Sequence, residues 1–69
     1  MSLTKNISVI IPVLNEQESV HVLYNQICDN LQNINKEIIF VNDGSTDNTK
    51  KIIMEIMDSD STIKLIDFN

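Results

Sequence analysis

Apolar residues in this chain fall in short runs, separated by longer stretches where they recur every third or fourth position. Residues 7–13 form the first run, continuous and rich in β-branched side chains. A run apolar on both faces reads as a buried parallel strand with helices on both sides of its sheet. Pro12 cannot donate to a ladder and is expected where pairing ends. Asn15 followed by Glu18 has the spacing of a capping box. Val20, Leu23, Ile27, Leu31 and Ile34 then line one face of an amphipathic helix of about four turns.

The pattern repeats. Residues 37–41 predict a second buried strand, and Asn42-Asp43-Gly44-Ser45-Thr46-Asp47-Asn48-Thr49 is a dense set of turn formers and caps. A second helix follows with Ile52, Ile53, Ile56 and Met57 inward, and Asp58-Ser59-Asp60-Ser61 ends it. Residues 63–67 predict a third strand. The order β-α-β-α-β has crossovers long enough for parallel pairing, and right-handed crossovers place both helices on one face. The fold class expected is α/β, a three-stranded parallel half of a doubly wound, Rossmann-like nucleotide-binding domain in strand order 3-2-1. The first strand then has one bare edge, through which self-association is expected.

Length and charge narrow the picture. With 69 residues the chain is one domain at most; the half-sheet predicts an incomplete one, residues 1–69 being the N-terminal part of a larger catalytic domain. Five basic residues, all Lys, stand against ten acidic ones, a net charge of -5. Such a surface repels nucleic acid and anionic membranes, whereas a nucleotide can still bind on backbone N–H groups at helix N-termini. The single Cys28 has no internal disulfide partner, which fits a reducing cytosol. No apolar run is long enough to cross a bilayer.

Ligands of open α/β sheets bind at the carboxyl ends of the strands. Two polar clusters fall there: residues 12–16 and residues 42–47. The Asp43 carboxylate can accept hydrogen bonds from ring N–H groups of uracil or guanine, and Gly44 permits a positive φ and close approach of a ligand. Ser45 or Thr46 is expected to cap the second helix, with Asp47 favouring its N-terminal dipole. The same residues also make a tight, well-capped βα loop, and residue chemistry alone leaves both readings open.

The motifs themselves resemble a known family. Ile7-Ser8-Val9-Ile10-Ile11-Pro12-Val13-Leu14-Asn15-Glu16 resembles the opening strand of family 2 glycosyltransferases. Glu37-Ile38-Ile39-Phe40-Val41-Asn42-Asp43-Gly44-Ser45-Thr46-Asp47-Asn48-Thr49 resembles their second strand and nucleotide loop. The resemblance covers residues 6–67 and is closest to the polyprenyl-phosphate sugar transferase branch. It implies a GT-A fold, a UDP- or GDP-linked sugar as donor, a lipid phosphate or saccharide as acceptor, and transfer with inversion. Carried over by position, the nucleotide-binding residues would be Pro12, Val13, Leu14, Glu16, Asn42, Asp43 and Gly44. Pro12 would line the base and ribose pocket, Glu16 would lie near the ribose or base, and Asp43 would hold the base edge. Asn42 departs from the commoner Asp at its position. A divalent cation, Mn or Mg, is implied for the complete enzyme, with its ligands and the catalytic base in later regions. No residue of this chain is therefore assigned a catalytic or metal-binding role, and the segment alone is expected to be inactive. The resemblance places the enzyme in the cytoplasm or on the cytoplasmic face of a membrane, which it would touch only through later regions.

Other residues take plainer roles: His21 solvated, Cys28 semi-buried, Met54 and Met57 in helix packing, Asp58 and Asp60 at a solvated helix end, Asp67 at a strand end. A non-enzymatic nucleotide- or partner-binding module is the rival reading. A dinucleotide fold is disfavoured because Gly44 is the only glycine. A receiver domain is disfavoured because the first strand ends in Pro12 where acidic residues would be needed.

Overall fold

The computed structural model describes residues 6–68. Three strands and two helices alternate: β1 (Asn6–Val13), α1 (Val20–Asn30), β2 (Asn35–Asp43), α2 (Thr49–Ser59) and β3 (Ile63–Phe68). The strands form one parallel sheet with β2 in the middle. The α/β half-sheet read from the pattern is therefore the observed architecture, in the strand order expected.

Register explains the core. Val9 pairs with Ile38 and Ile38 with Ile63, while Ile11 pairs with Phe40 and Phe40 with Leu65. These rows lie on one face of the sheet, because alternate residues point to the same side. Both helices pack on that face: Val20 of α1 and Ile53 and Ile56 of α2 are buried with Val13, Ile38, Phe40 and Ile63. Tyr24, Ile27, Ile52 and Met57 complete the layer. The opposite face carries Ile10, Ile66 and Phe68, which are 65%, 45% and 56% exposed. The strands are apolar on both faces as expected, yet within the described residues helices cover only one of them.

Element ends differ from the pattern in instructive ways. The Asn15–Glu18 capping box does not form. Asn15 takes a left-handed backbone, φ 53°, and its side chain reaches across to the second loop. A turn follows in which the Glu16 carbonyl accepts the Ser19 and Val20 N–H groups, so the helix starts only at Val20. It stops at Asn30, leaving Leu31 as its C-cap and Ile34 beyond it, about three turns rather than four. Asn33, at φ 66°, turns the chain into β2. Polar residues bracket the β2 hydrophobic run and still pair, since strand pairing uses backbone groups and β2 has a neighbour on each side. Met54 is 50% exposed, so Met57 alone of the two serves packing. Pro12 lies one residue before the end of β1, an edge strand with β2 as its single partner among the described residues, where a missing N–H is tolerated.

Candidate functional site

The carboxyl ends of β1 and β2 lie side by side, Pro12 opposite Val41 and Val13 opposite Asn42. Parallel pairing therefore brings residues 14–17 against residues 45–49, and the two segments are stitched together. The Asn15 N–H donates to the Ser45 hydroxyl at 2.9 Å, and the Thr46 N–H donates back to the Asn15 carboxamide oxygen at 2.8 Å. The Glu16 N–H donates to the Thr49 hydroxyl at 2.8 Å. The Asn48 N–H donates to the Gln17 side-chain oxygen at 3.0 Å. Each loop thus supplies acceptors for backbone donors of the other.

Asp47 rather than Ser45 or Thr46 caps α2. Its carboxylate accepts the Thr49 N–H at 2.9 Å and the Thr49 hydroxyl, while Asn48 is the N-cap position and makes no side-chain cap bond. Ser45 and Thr46 are spent on the cross-loop bonds instead. The Thr49 hydroxyl is the largest influence holding the Asp47 carboxyl below the usual carboxylate range. Thr49 is fully buried, and its hydroxyl serves both loops by accepting from Glu16 while donating to Asp47.

Beneath the second loop lies a polar group that sequence reasoning did not assemble. Asn42 is 2% exposed and points into the helix-covered side, level with Val13 and Asp67. Its amide nitrogen donates to Asp67 at 3.0 Å, and its amide oxygen accepts the Ser45 N–H at 3.2 Å. Asp67 in turn pairs with Lys50 of α2 at 2.8 Å. Lys50 first, and Asn42 after it, keep the Asp67 carboxyl below its ordinary range. Asp67, expected only to end a strand, thus anchors the loop from below.

Asp43 is exposed and, by strand alternation, shares the open face with Val41 and Pro12. Gly44 follows with φ 79°, a backbone that favours glycine. Pro12, Leu14 and Glu16 are exposed beside it, whereas Val13 is buried in the core and Asn42 lies under the loop. The structure thus brings the seven predicted residues to one end of the sheet, with Pro12, Leu14, Glu16, Asp43 and Gly44 at the surface. No group of three or more His, Cys, Asp or Glu side chains among the described residues is arranged to hold a metal ion. The described residues therefore do not fit a divalent cation.

Known proteins carry the same pattern. Residues 8–69 match glycosyl transferase family 2. The chain belongs to that family. It is 36% identical over 64 residues to a prophage bactoprenol glucosyl transferase homolog of Escherichia coli (strain K12), covering 90% of this chain and 21% of that protein. A bactoprenol glucosyl transferase of Shigella phage SfV is 38% identical over 64 residues, with the same coverage of 90% and 21%. An undecaprenyl-phosphate 4-deoxy-4-formamido-L-arabinose transferase of Pectobacterium carotovorum subsp. carotovorum (strain PC1) is 45% identical over 53 residues, 74% of this chain and 16% of that protein. The chain therefore spans about a fifth of the length of these curated relatives. As a family 2 segment it carries a Rossmann-like parallel half-sheet of the GT-A class, and the names of its relatives agree with the polyprenyl-phosphate branch. Among the described residues no helix is long and apolar enough to cross a membrane.

Proposed function

We propose that this chain is the nucleotide-binding segment of an inverting glycosyltransferase that moves a sugar from a UDP- or GDP-linked donor to a lipid phosphate or saccharide. The observation that carries the reading is the placement of Asp43: an exposed carboxylate at the carboxyl end of the central strand, beside Pro12 and followed by Gly44 at positive φ. A ring N–H of uracil or guanine is a good donor to such a carboxylate. The cross-bonded loops hold the carboxylate on a rigid strand end, so little ordering is left to be done on binding. Relatives named for bactoprenol and undecaprenyl phosphate favour a lipid phosphate as the acceptor class.

The segment's own role is to hold and orient the base and ribose through Pro12, Leu14, Glu16 and Asp43. Mn or Mg would be bound by residues outside this segment, on which the transfer itself depends. The test is calorimetric titration of the protein with UDP and GDP, each with and without manganese. Binding that prefers one base and is indifferent to manganese is the expected result. A folded sample that takes up neither nucleotide would refute the reading.

A further inference from the structure

We propose that Asn42 is the positioning residue of the nucleotide loop, and that in this chain, where Asp67 lies beneath it, the commoner Asp is replaced by a carboxamide because the side chain joins a pure acceptor below to a pure donor above. The inference rests on the nucleotide-binding reading of Asp43, the next residue along β2.

The bonding partners decide the chemistry. An ionised Asp67 carboxylate can only accept, and the Ser45 N–H can only donate. Asn42 meets the first with its NH2 group at 3.0 Å and the second with its oxygen at 3.2 Å, in a space where its side chain is 2% exposed. At neutral pH no other side chain of this size offers a donor and an acceptor on one planar group without carrying charge, since a carboxyl does so only when it holds a proton. The bridge continues on both sides. Below, Lys50 of α2 holds the second Asp67 oxygen at 2.8 Å. Above, the Ser45 hydroxyl accepts the Asn15 N–H, and Asn15 accepts the Thr46 N–H. A continuous path of hydrogen bonds thus runs from α2 through the end of β3 to both loops, passing through one amide. Asp43 and Gly44 lie between its two anchor points, Asn42 and Ser45. The amide does not meet a ligand; it sets where the exposed carboxylate next to it stands.

An aspartate at position 42 has almost the same shape and the wrong hydrogen-bonding pattern. It would set one carboxylate against another, about 3 Å apart, and two such groups cannot both ionise at ordinary cost. The surrounding charges are few. Lys50 faces Asp67 from α2, Asp47 is engaged by Thr49 at the start of the same helix, Asp43 turns to the opposite face of the sheet, and the β1 neighbour is the apolar Val13. One proton shared between positions 42 and 67 would restore the bridge, since a protonated carboxyl donates where the amide NH2 did. The folded form of Asn42→Asp would then hold a proton that the unfolded chain releases. A pKa raised in the folded state gives stability that is present at low pH and lost as pH rises through the folded value.

The test compares wild type, Asn42→Asp and the exchange variant Asn42→Asp/Asp67→Asn, in which donor and acceptor trade places. Hydrogen-exchange protection of the Ser45 N–H and calorimetric affinity for UDP and GDP are read between about pH 5 and 8. Wild type should keep both nearly constant. Asn42→Asp should match it at the acidic end and lose about tenfold or more in each as pH rises, the size expected for losing a charge-assisted hydrogen bond. The exchange variant should recover both at every pH. Two results would overturn the bridge: an Asn42→Asp protein with wild-type protection across the range, or an exchange variant no better than the single one, including one that fails to fold. A wild type that binds neither nucleotide while its Ser45 protection behaves as described would instead sink the nucleotide reading, and the positioning role with it.

Discussion

Tyr24 and Asp60 meet at 2.5 Å, the phenolic hydroxyl of α1 donating to the carboxylate that ends α2. Asp60 also accepts the Thr62 N–H at 3.0 Å and the Thr62 hydroxyl at 2.6 Å. Its backbone N–H closes α2 on the Ile56 carbonyl, while its side chain opens the turn to β3 and holds the neighbouring helix. This junction lies at the end of α2 opposite the nucleotide loop, which meets its start.

Removing the hydroxyl separates stability from binding. Tyr24→Phe keeps the ring in the core and leaves a half-buried carboxylate short of one donor. The expected loss is about 1–2 kcal/mol, toward the low end for hydrogen bonds to charged groups because water reaches the site. Urea denaturation should show it as a lower midpoint with an unchanged slope. UDP and GDP affinities should stay at the wild-type level; a parallel fall in affinity would mean that the helix junction governs the loop.

Gly44 supports a second prediction, about backbone rather than packing. Its φ of 79° lies where side chains with a Cβ are strained, yet an added Cβ would meet only the Phe68 carbonyl oxygen at 3.8 Å, an ordinary contact. Gly44→Ala should therefore cost about 1–2 kcal/mol through strain alone. Gly44→Asn should cost less, because Asn visits this region more readily. Equal denaturation midpoints for the two variants would show that tolerance of a positive φ does not set the requirement.

Asp43 should behave in the opposite way to Tyr24. Its side chain is exposed and, among the described residues, no N–H or hydroxyl is bonded to it, so Asp43→Ala should leave the denaturation midpoint in place. Nucleotide affinity should weaken by about 1–3 kcal/mol, the range for losing a hydrogen bond to a charged group. Unchanged affinity in a folded variant would reduce Asp43 to a turn residue.

These contrasts show what could be read from the chain before its structure. The strands and helices were legible because a buried run and a period of three to four are properties of neighbouring residues. So was the convergence of Pro12 and Asp43, since parallel pairing places consecutive strand ends together. The caps were not. Asn15 has the capping-box spacing with Glu18, but a bond to Thr46, 31 residues away, wins over the local one. The roles of Asp60 and Asp67 were hidden for the same reason: their partners Tyr24 and Asn42 stand 36 and 25 residues away. One signal was there to be used: Asn42 continues the inward alternation of Ile38 and Phe40, which extends the strand past residue 41 and marks a buried amide in need of partners.

Acid should unfold the protein through three identifiable carboxylates. Thr49 chiefly lowers the pKa of Asp47, Thr62 and then Tyr24 that of Asp60, and Lys50 and then Asn42 that of Asp67. The unfolded chain therefore takes up protons first, near the ordinary aspartate value of about 3.9, and stability rises with pH through that region. The contribution is complete above that value and is lost as pH falls through the folded values. Tyr24 acts at the other limit. The hydrogen bond to Asp60, with burial after it, raises its pKa, so the folded state keeps the phenolic proton longer. That contribution is present below about pH 10, the ordinary tyrosine value, and declines as pH climbs through the raised one. Urea midpoints measured at steps from pH 2 to 11, a span of roughly both limits, should give a plateau with an acid and an alkaline fall. Asp60→Asn should make both falls shallower, because it removes one low carboxylate and the group that most raises Tyr24. A variant whose acid limb is as steep as that of wild type would place the acid sensitivity with Asp47 and Asp67 alone.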